Sequence, residues 1–506
     1  MSRTKLAASN VVFGLMSKCV TMVLEFVSRA IFIQVLGVDV LGVNSVFISV
    51  VQMLSLAELG ITNAMVFSFY RPLADGDQSK LASLTAFYRR IYLTIAAVVF
   101  LLGLITVPFL GGILQLHVVP VEYVAAYLLF VVDTAVSYLF VYRTTLIRAD
   151  QRGFVISKYE MIVNTVRTVA QIVCLLAFGD YILYLVIKVA GTSAINLLSS
   201  YRAKRDYPYI LNTSESLDSQ TKHEVVSVIK SSFVYRVAGA ILNSSTNIIM
   251  SAMVGSIVVG YLANYVTIIT AITSVSVVIF TNLTASVGNM AITESPARRL
   301  SVFNTMLIIG STLTMVFVST TTIMSNSFIT LWIGEEYVLP DSTVFIRMAL
   351  MFMNCYMQII FAYREAVGLY RKTKYVMLVA AIMNVGLSIA LGELWGVDGI
   401  LIASILACGC TYFWYEPILL HRDYFEATPI NYFKNLLLTA VSTFGLIALG
   451  SVLISSFEIS NWCSWVLCSL ICLVVSAGWS WLIYRKTDAM VELVQHVKIL
   501  VANGAK

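Results

Sequence analysis

The 506-residue sequence predicts an all-α polytopic membrane protein of about fourteen transmembrane helices: two parallel six-helix lobes plus two appended C-terminal helices. Three observations predict it. Apolar residues make up 59% of the chain and charged residues 12%, against roughly 45–50% and about 25% in an average soluble protein. Apolar runs of about 20 residues, each enough to cross roughly 30 Å of hydrocarbon, recur from Asn10 to Tyr484 with short polar breaks. The third is an internal duplication.

The spans centre near residues 23, 54, 100, 133, 165, 191, 239, 270, 312, 353, 383, 407, 444 and 473. The first is read as a retained span rather than a signal peptide, because Lys18 interrupts its apolar run and no small-x-small cleavage site follows. Every second connection is basic, from Arg71, Lys80, Arg89 and Arg90 through Arg202, Lys204 and Arg205 to Arg485 and Lys486. The alternate connections, around Asp39, Glu122, Asp180, Glu335, Asp341, Glu393, Asp398 and Glu458, hold no Lys or Arg. Lys and Arg gather on the cytoplasmic side of membrane proteins, so both termini are expected there. Residues 485–506 read as a cytoplasmic amphipathic tail along the inner interface.

The duplication rests on three pairs. "GVDVLGVN" from Gly37 matches "GSIVVGYL" from Gly255, "VYRTTL" with Arg143 matches "AYREAV" with Arg364, and "MIVN" ending at Asn164 matches "AIMN" ending at Asn384, at offsets of 218, 221 and 220. Six spans per repeat is an even number, so the halves run the same way and are expected to be related by an axis along the membrane normal, with a cavity between them. The organisation is therefore 1–202, the N-terminal lobe; 203–224, a cytoplasmic linker; 225–420, the C-terminal lobe; and 421–484, the two added helices.

An ionisable side chain at mid-membrane costs at least about 2.5–3.5 kcal/mol. The spans hold Lys18, Arg29, Arg167, Lys188, Arg236 and Arg347 against Glu25, Glu58 and Asp133, so the interior is cationic. Glu25 and Arg29, four apart, also read as a mutually neutralising pair. Lys18, Lys188 and Arg347 also read as snorkelling. Arg167 and Arg236, deeper, have Asp133 or Glu58 as structural partners. Beyond those pairings the excess suits an anionic group such as a phosphate or pyrophosphate, which guanidinium forks bind in pairs. The eight cysteines are scattered and give neither a disulfide framework nor zinc-ligand spacing.

The stretch "SRAIFIQVLGVDVLGVNSVFISVVQMLSLAELGITNA" resembles the start of bacterial polysaccharide flippases of the O-antigen, capsule and teichuronic type. These belong to the superfamily that also holds multidrug and toxin extruders and lipid II flippases. Arg29, Leu36-Gly37 with Gly42, and Glu58-Leu59-Gly60 carry the resemblance, with Arg143 and Arg364 ending the fourth and tenth spans. The resemblance implies a V-shaped carrier, not an enzyme, in the bacterial cytoplasmic membrane. It would move a polyprenyl-pyrophosphate-linked oligosaccharide to the outer leaflet by alternating access. Arg29, Arg167 and Arg236 would meet the pyrophosphate, with Lys18, Lys188 and Arg347 along the route. Glu58, Asp133 and Glu25 would bind a coupling proton or sodium ion, and no other cofactor is expected. The partners implied are the lipid-linked cargo, membrane lipids and a polysaccharide polymerase or glycosyltransferases, with no nucleic acid. Two other classes are the alternatives: a multidrug antiporter of the same fold, which would favour an acidic cavity, and a membrane glycan polymerase or ligase, which would carry a long external loop. No G-x4-G-K-[ST] sequence occurs, so an ATP-driven pump would need a separate ATPase.

Overall fold

The computed structural model describes residues 3–58, 61–150, 152–211, 217, 219–487 and 490. The side chain of Lys18 and the amphipathic tail beyond Met490 lie outside the described residues. The described chain is helical throughout. Its helices are α1 (Arg3–Leu54), α2 (Ile61–Asp75), α3 (Gln78–Thr106), α4 (Leu110–Leu114), α5 (Val121–Tyr138), α6 (Val141–Ala149), α7 (Gly153–Phe178) and α8 (Tyr181–Asp206). There follow α9 (Ser219–Val254), α10 (Ser256–Thr293), α11 (Pro296–Trp332), α12 (Asp341–Val367), α13 (Tyr370–Gly409), α14 (Tyr412–Leu420), α15 (Ile430–Ile454) and α16 (Trp462–Tyr484).

Twelve described helical stretches are long and apolar enough to cross a membrane, as in a multi-pass membrane protein. One of them, Lys372–Phe425, has 54 residues, about 80 Å of helix against roughly 30 Å of hydrocarbon. It is broken at Gly396, where φ is +57°, and Val20–Leu54 is broken at Gly37, where φ is +87°. Only glycine takes such angles without strain. Divided at those two breaks, the twelve stretches become the fourteen spans expected.

By packing, the chain forms two compact units, Met1–Gly260 and Tyr261–Lys506. The duplication reappears in local geometry. Gly37 and Gly255 both have positive φ, as do Gly179 and Gly396, 217 residues apart. In the first unit Arg152 Nη2 meets Asp206 Oδ2 at 2.7 Å, and in the second Lys372 Nζ meets Asp423 Oδ2 at 2.8 Å. In each repeat, then, a base just before or within the first turn of the fifth helix holds the acid at the end of the sixth. Tyr207, next to Asp206, donates to Asp150 Oδ2 at 2.5 Å; burial and the neighbouring carboxylate push its phenol pKa up.

Within the first unit the two turn motifs cross. A Cβ on Gly42 would lie 1.9 Å from the Ser256 carbonyl oxygen, and one on Gly260 would lie 2.5 Å from that of Val38. Each contact joins the residue after one positive-φ glycine to the second glycine of the other motif, so the contact is reciprocal. Polar links fix the same end: Asn247 Nδ2 donates to Ser49 Oγ at 3.0 Å, Gln115 Nε2 to the Ala252 carbonyl at 2.8 Å and Ser251 Oγ to the Ile113 carbonyl at 2.7 Å.

Within the second unit, hydroxyls attach α15 and α16 to α11. Ser311 Oγ donates to Asn435 Oδ1 at 2.7 Å, Thr312 pairs with Ser480 at 2.7 Å, and Ser319 pairs with Ser476 at 2.8 Å. In lipid, where apolar surfaces have no reason to prefer each other, such hydrogen bonds and close packing decide which helices associate. Seven cysteines among the described residues are free thiols, five of them buried.

Candidate functional site

The site is built on the α7–α8 hairpin of the first unit. Gly179, at φ +61°, ends α7 with its N–H on the Leu175 carbonyl at 2.9 Å. Asp180 then caps α8, its carboxylate accepting from Leu183 N at 3.0 Å. The turn is so short that residues equally distant from Gly179 face each other. Arg167 and Gly191 each stand twelve residues away, and a Cβ on Gly191 would lie 2.5 Å from Arg167 Cδ. Gly191 therefore makes room for the Arg167 stem.

Along α8, Tyr184, Lys188 and Gly191 follow at helical spacing and line one face. The Tyr184 ring meets Phe32 of α1 edge-on at 5.2 Å between centroids. Its hydroxyl lies beside buried Ser28 and within electrostatic reach of Arg29, Arg167 and Glu25. Arg29 lies within electrostatic reach of both Tyr184 and Glu25. Lys188 Nζ lies 3.6 Å from Asp133 Oδ2 and 3.8 Å from the centre of the Phe130 ring. Lys188 is also within electrostatic reach of Arg167.

Arg29 and Arg167 thus lie near one phenol, and Lys188 joins them through Arg167, with two carboxylates, Glu25 exposed and Asp133 half-buried. The set keeps one positive charge in excess. It also keeps open valences: buried Arg167 Nε and Asp133 Oδ1 make no hydrogen bond among the described residues. Such a set can hold an anion by charge-assisted hydrogen bonds while its carboxylates compete for the same cations.

Asp133 pairs with Lys188 rather than with Arg167 or Arg236. Arg236 stands apart from the group. Helices rise 1.5 Å per residue, so Arg236, nineteen residues before Gly255, is about 28 Å from that turn, whereas Arg29, eight before Gly37, is about 12 Å from its own. Arg347, in the second unit, is half-buried on α12, its buried Nε without a hydrogen bond among the described residues. Glu58 sits among hydroxyls: it accepts from Thr62 at 3.1 Å, Thr62 is 2.7 Å from the Tyr92 hydroxyl, and the Tyr138 hydroxyl lies near both Ser55 and Glu58. It makes no ion pair among the described residues.

Sequence reasoning missed Tyr184, Gly191 and Phe130. The Tyr184–Lys188 spacing was a readable signal for the first, but the other two act through packing.

No protein-family model matches the sequence, and no curated protein sequence matches it. Solved structures do match its fold. The lipid II flippase MurJ in an inward closed conformation aligns with a TM-score of 0.65 at 12% identity, over 94% of this chain and 99% of that one. A multidrug resistance MATE family transporter of the MOP superfamily, inward-facing, aligns at 0.58 and 14% identity, over 78% and 93%. The Vibrio cholerae MATE transporter VcmN, in a mutant form, aligns at 0.59 and 14% identity, over 83% and 99%. The chain has the fold shared by these transporters.

Proposed function

We propose that the protein is a secondary carrier, not an enzyme, that moves a polyprenyl-pyrophosphate-linked oligosaccharide from the cytoplasmic to the outer leaflet of a bacterial inner membrane by alternating access. The observation that carries this reading is the cation excess of the Arg29, Arg167 and Lys188 group inside an apolar helical unit. A pyrophosphate cannot cross hydrocarbon unaided, and these cations give it a polar place while a polyprenyl tail stays in lipid. The likeness of fold to a lipid II flippase supports the cargo class.

Glu25 and Asp133 hold the cations when no cargo is bound. Glu58, beside the Thr62 and Tyr92 hydroxyls, takes the coupling ion, a proton or sodium. Both termini face the cytoplasm, Arg236 stands towards that entrance, and Arg347 serves the second unit. Glycosyltransferases or a polymerase supply and consume the cargo.

Deleting the gene is expected to trap lipid-linked glycan on the inner leaflet. Complementation by Arg29→Ala or Arg167→Ala is expected to fail, each losing about 10- to 100-fold in rate, since a hydrogen bond to a charged group is worth about 1.5–3 kcal/mol. Normal surface glycan with drug hypersensitivity in the deletion strain would instead identify a multidrug extruder. Gly191→Val removes no charge, yet it is expected to impair transport about as much as Arg167→Ala, because its side chain would occupy the space of the Arg167 stem. Wild-type transport by Gly191→Val would show that the Arg167 position is unimportant.

A further inference from the structure

Each unit ends its fourth span with an arginine of the duplicated motif, and the two face different partners. In the second unit Arg364 is buried, and its Nη1 donates to both oxygens of Glu416, at 3.0 and 3.2 Å. In the first unit Arg143 Nη1 donates to Ser200 Oγ at 2.7 Å and its guanidinium lies 5.2 Å from the Tyr142 ring centre. No carboxylate lies within 4 Å of Arg143 among the described residues.

The triplets Arg205-Asp206-Tyr207 and Arg422-Asp423-Tyr424 stand 217 residues apart and bind equivalent bases, which aligns the end of α8 with the end of α14. At that offset Ser199 occupies the place of Glu416. Ser199 is 1% exposed and its Oγ makes no hydrogen bond among the described residues; Ser200 is 3% exposed. The acids nearby are engaged: Asp206 by Arg152 and Arg202, Asp150 by Tyr207, and Glu160 by Arg148.

We propose that Arg143, Ser199 and Ser200 form a seat for a phosphate group at the basic end of the first unit. It is the seat that Glu416 fills from within the chain in the second unit. A guanidinium on the Ser200 hydroxyl, with the unbonded Ser199 hydroxyl one residue before it in the chain, offers several donors to one tetrahedral oxyanion, which suits phosphate. The seat is separate from the Arg29 group and does not depend on the function proposed for it. An anionic phospholipid headgroup and a soluble phosphate share the chemistry, and the test separates them.

Full-length protein in neutral detergent is titrated with sodium pyrophosphate, or with phosphatidylglycerol against phosphatidylcholine, and its thermal unfolding midpoint is read. The wild type is expected to rise with one of the two anionic probes: with phosphatidylglycerol if a lipid headgroup fills the seat, with pyrophosphate if a soluble anion does. In Arg143→Gln the concentration needed for half the rise is expected to increase at least fivefold, with Arg143→Lys between. Ser200→Glu, which supplies an internal carboxylate, is expected to lose the response without a lower starting midpoint. Arg71→Gln, at an exposed arginine outside both groups, is expected to keep it. The proposal is overturned if neither probe stabilises the wild type, or if Arg143→Gln responds like the wild type. Should Ser200→Glu fail to fold, the Arg143 variants decide.

Discussion

Gly42→Ala is expected to lower the stability of the protein by about 3 kcal/mol or more, towards or beyond the upper end for an overpacked core. The added methyl would sit 1.9 Å from the Ser256 carbonyl oxygen, a backbone atom of a helix that cannot rotate aside as a side chain would. Relief requires the two turn motifs to separate, breaking the contact between Val38 and Gly260 as well. Gly260→Ala is expected to act in the same direction. Gly386→Ala is the control: nothing lies within 4 Å of its added Cβ, and alanine in a helix interior is favoured over glycine by about 1 kcal/mol. The thermal midpoint in detergent checks the three variants together. If Gly42→Ala unfolds at or above the wild-type midpoint, the close crossing of the glycine motifs is wrong.

The second large effect is expected at the buried pair of the second unit. Glu416 is 1% exposed and Arg364 8% exposed, so removing either leaves the other charged and nearly dry. Breaking such a pair from one side costs about 3–5 kcal/mol, whereas replacing both by apolar residues of similar size is often neutral or stabilising. Glu416→Ala is therefore expected to be severely destabilised, and Arg364→Met with Glu416→Leu to regain most of the loss. Arg143→Gln, whose partner is a serine, is expected to cost far less. Equal losses in Arg143→Gln and Glu416→Ala would erase the difference on which the phosphate seat rests. Denaturation midpoints of the three variants decide this.

The membrane spans were legible because apolar runs have a length set by the bilayer, and the duplication because glycine turns and terminal arginines repeat almost unchanged. Gly37 and Gly255 owe their repetition to backbone angles that few other residues adopt. The pairing inside the first unit was not legible to the same degree. Span centres place Asp133 at similar depth to Arg167 and Lys188, and only the packing of α5 against α8 decides that it meets Lys188. Gly191 carries no chemistry of its own and shows its part only beside the Arg167 side chain. The partners of Arg143 and Arg364 were hidden for another reason. The motifs around the arginines are alike, while the difference, a serine against a glutamate, lies more than fifty residues further along each repeat.

The central claim is that cations of the first unit carry an anionic lipid headgroup through the membrane. Its most direct measurement is translocation of a fluorescent polyprenyl-pyrophosphate oligosaccharide in proteoliposomes, comparing wild type with Arg167→Ala at equal folded protein. The account predicts translocation by the wild type, falling at least about tenfold in the variant. Equal rates in the two, or no movement of the pyrophosphate lipid by either, would contradict it.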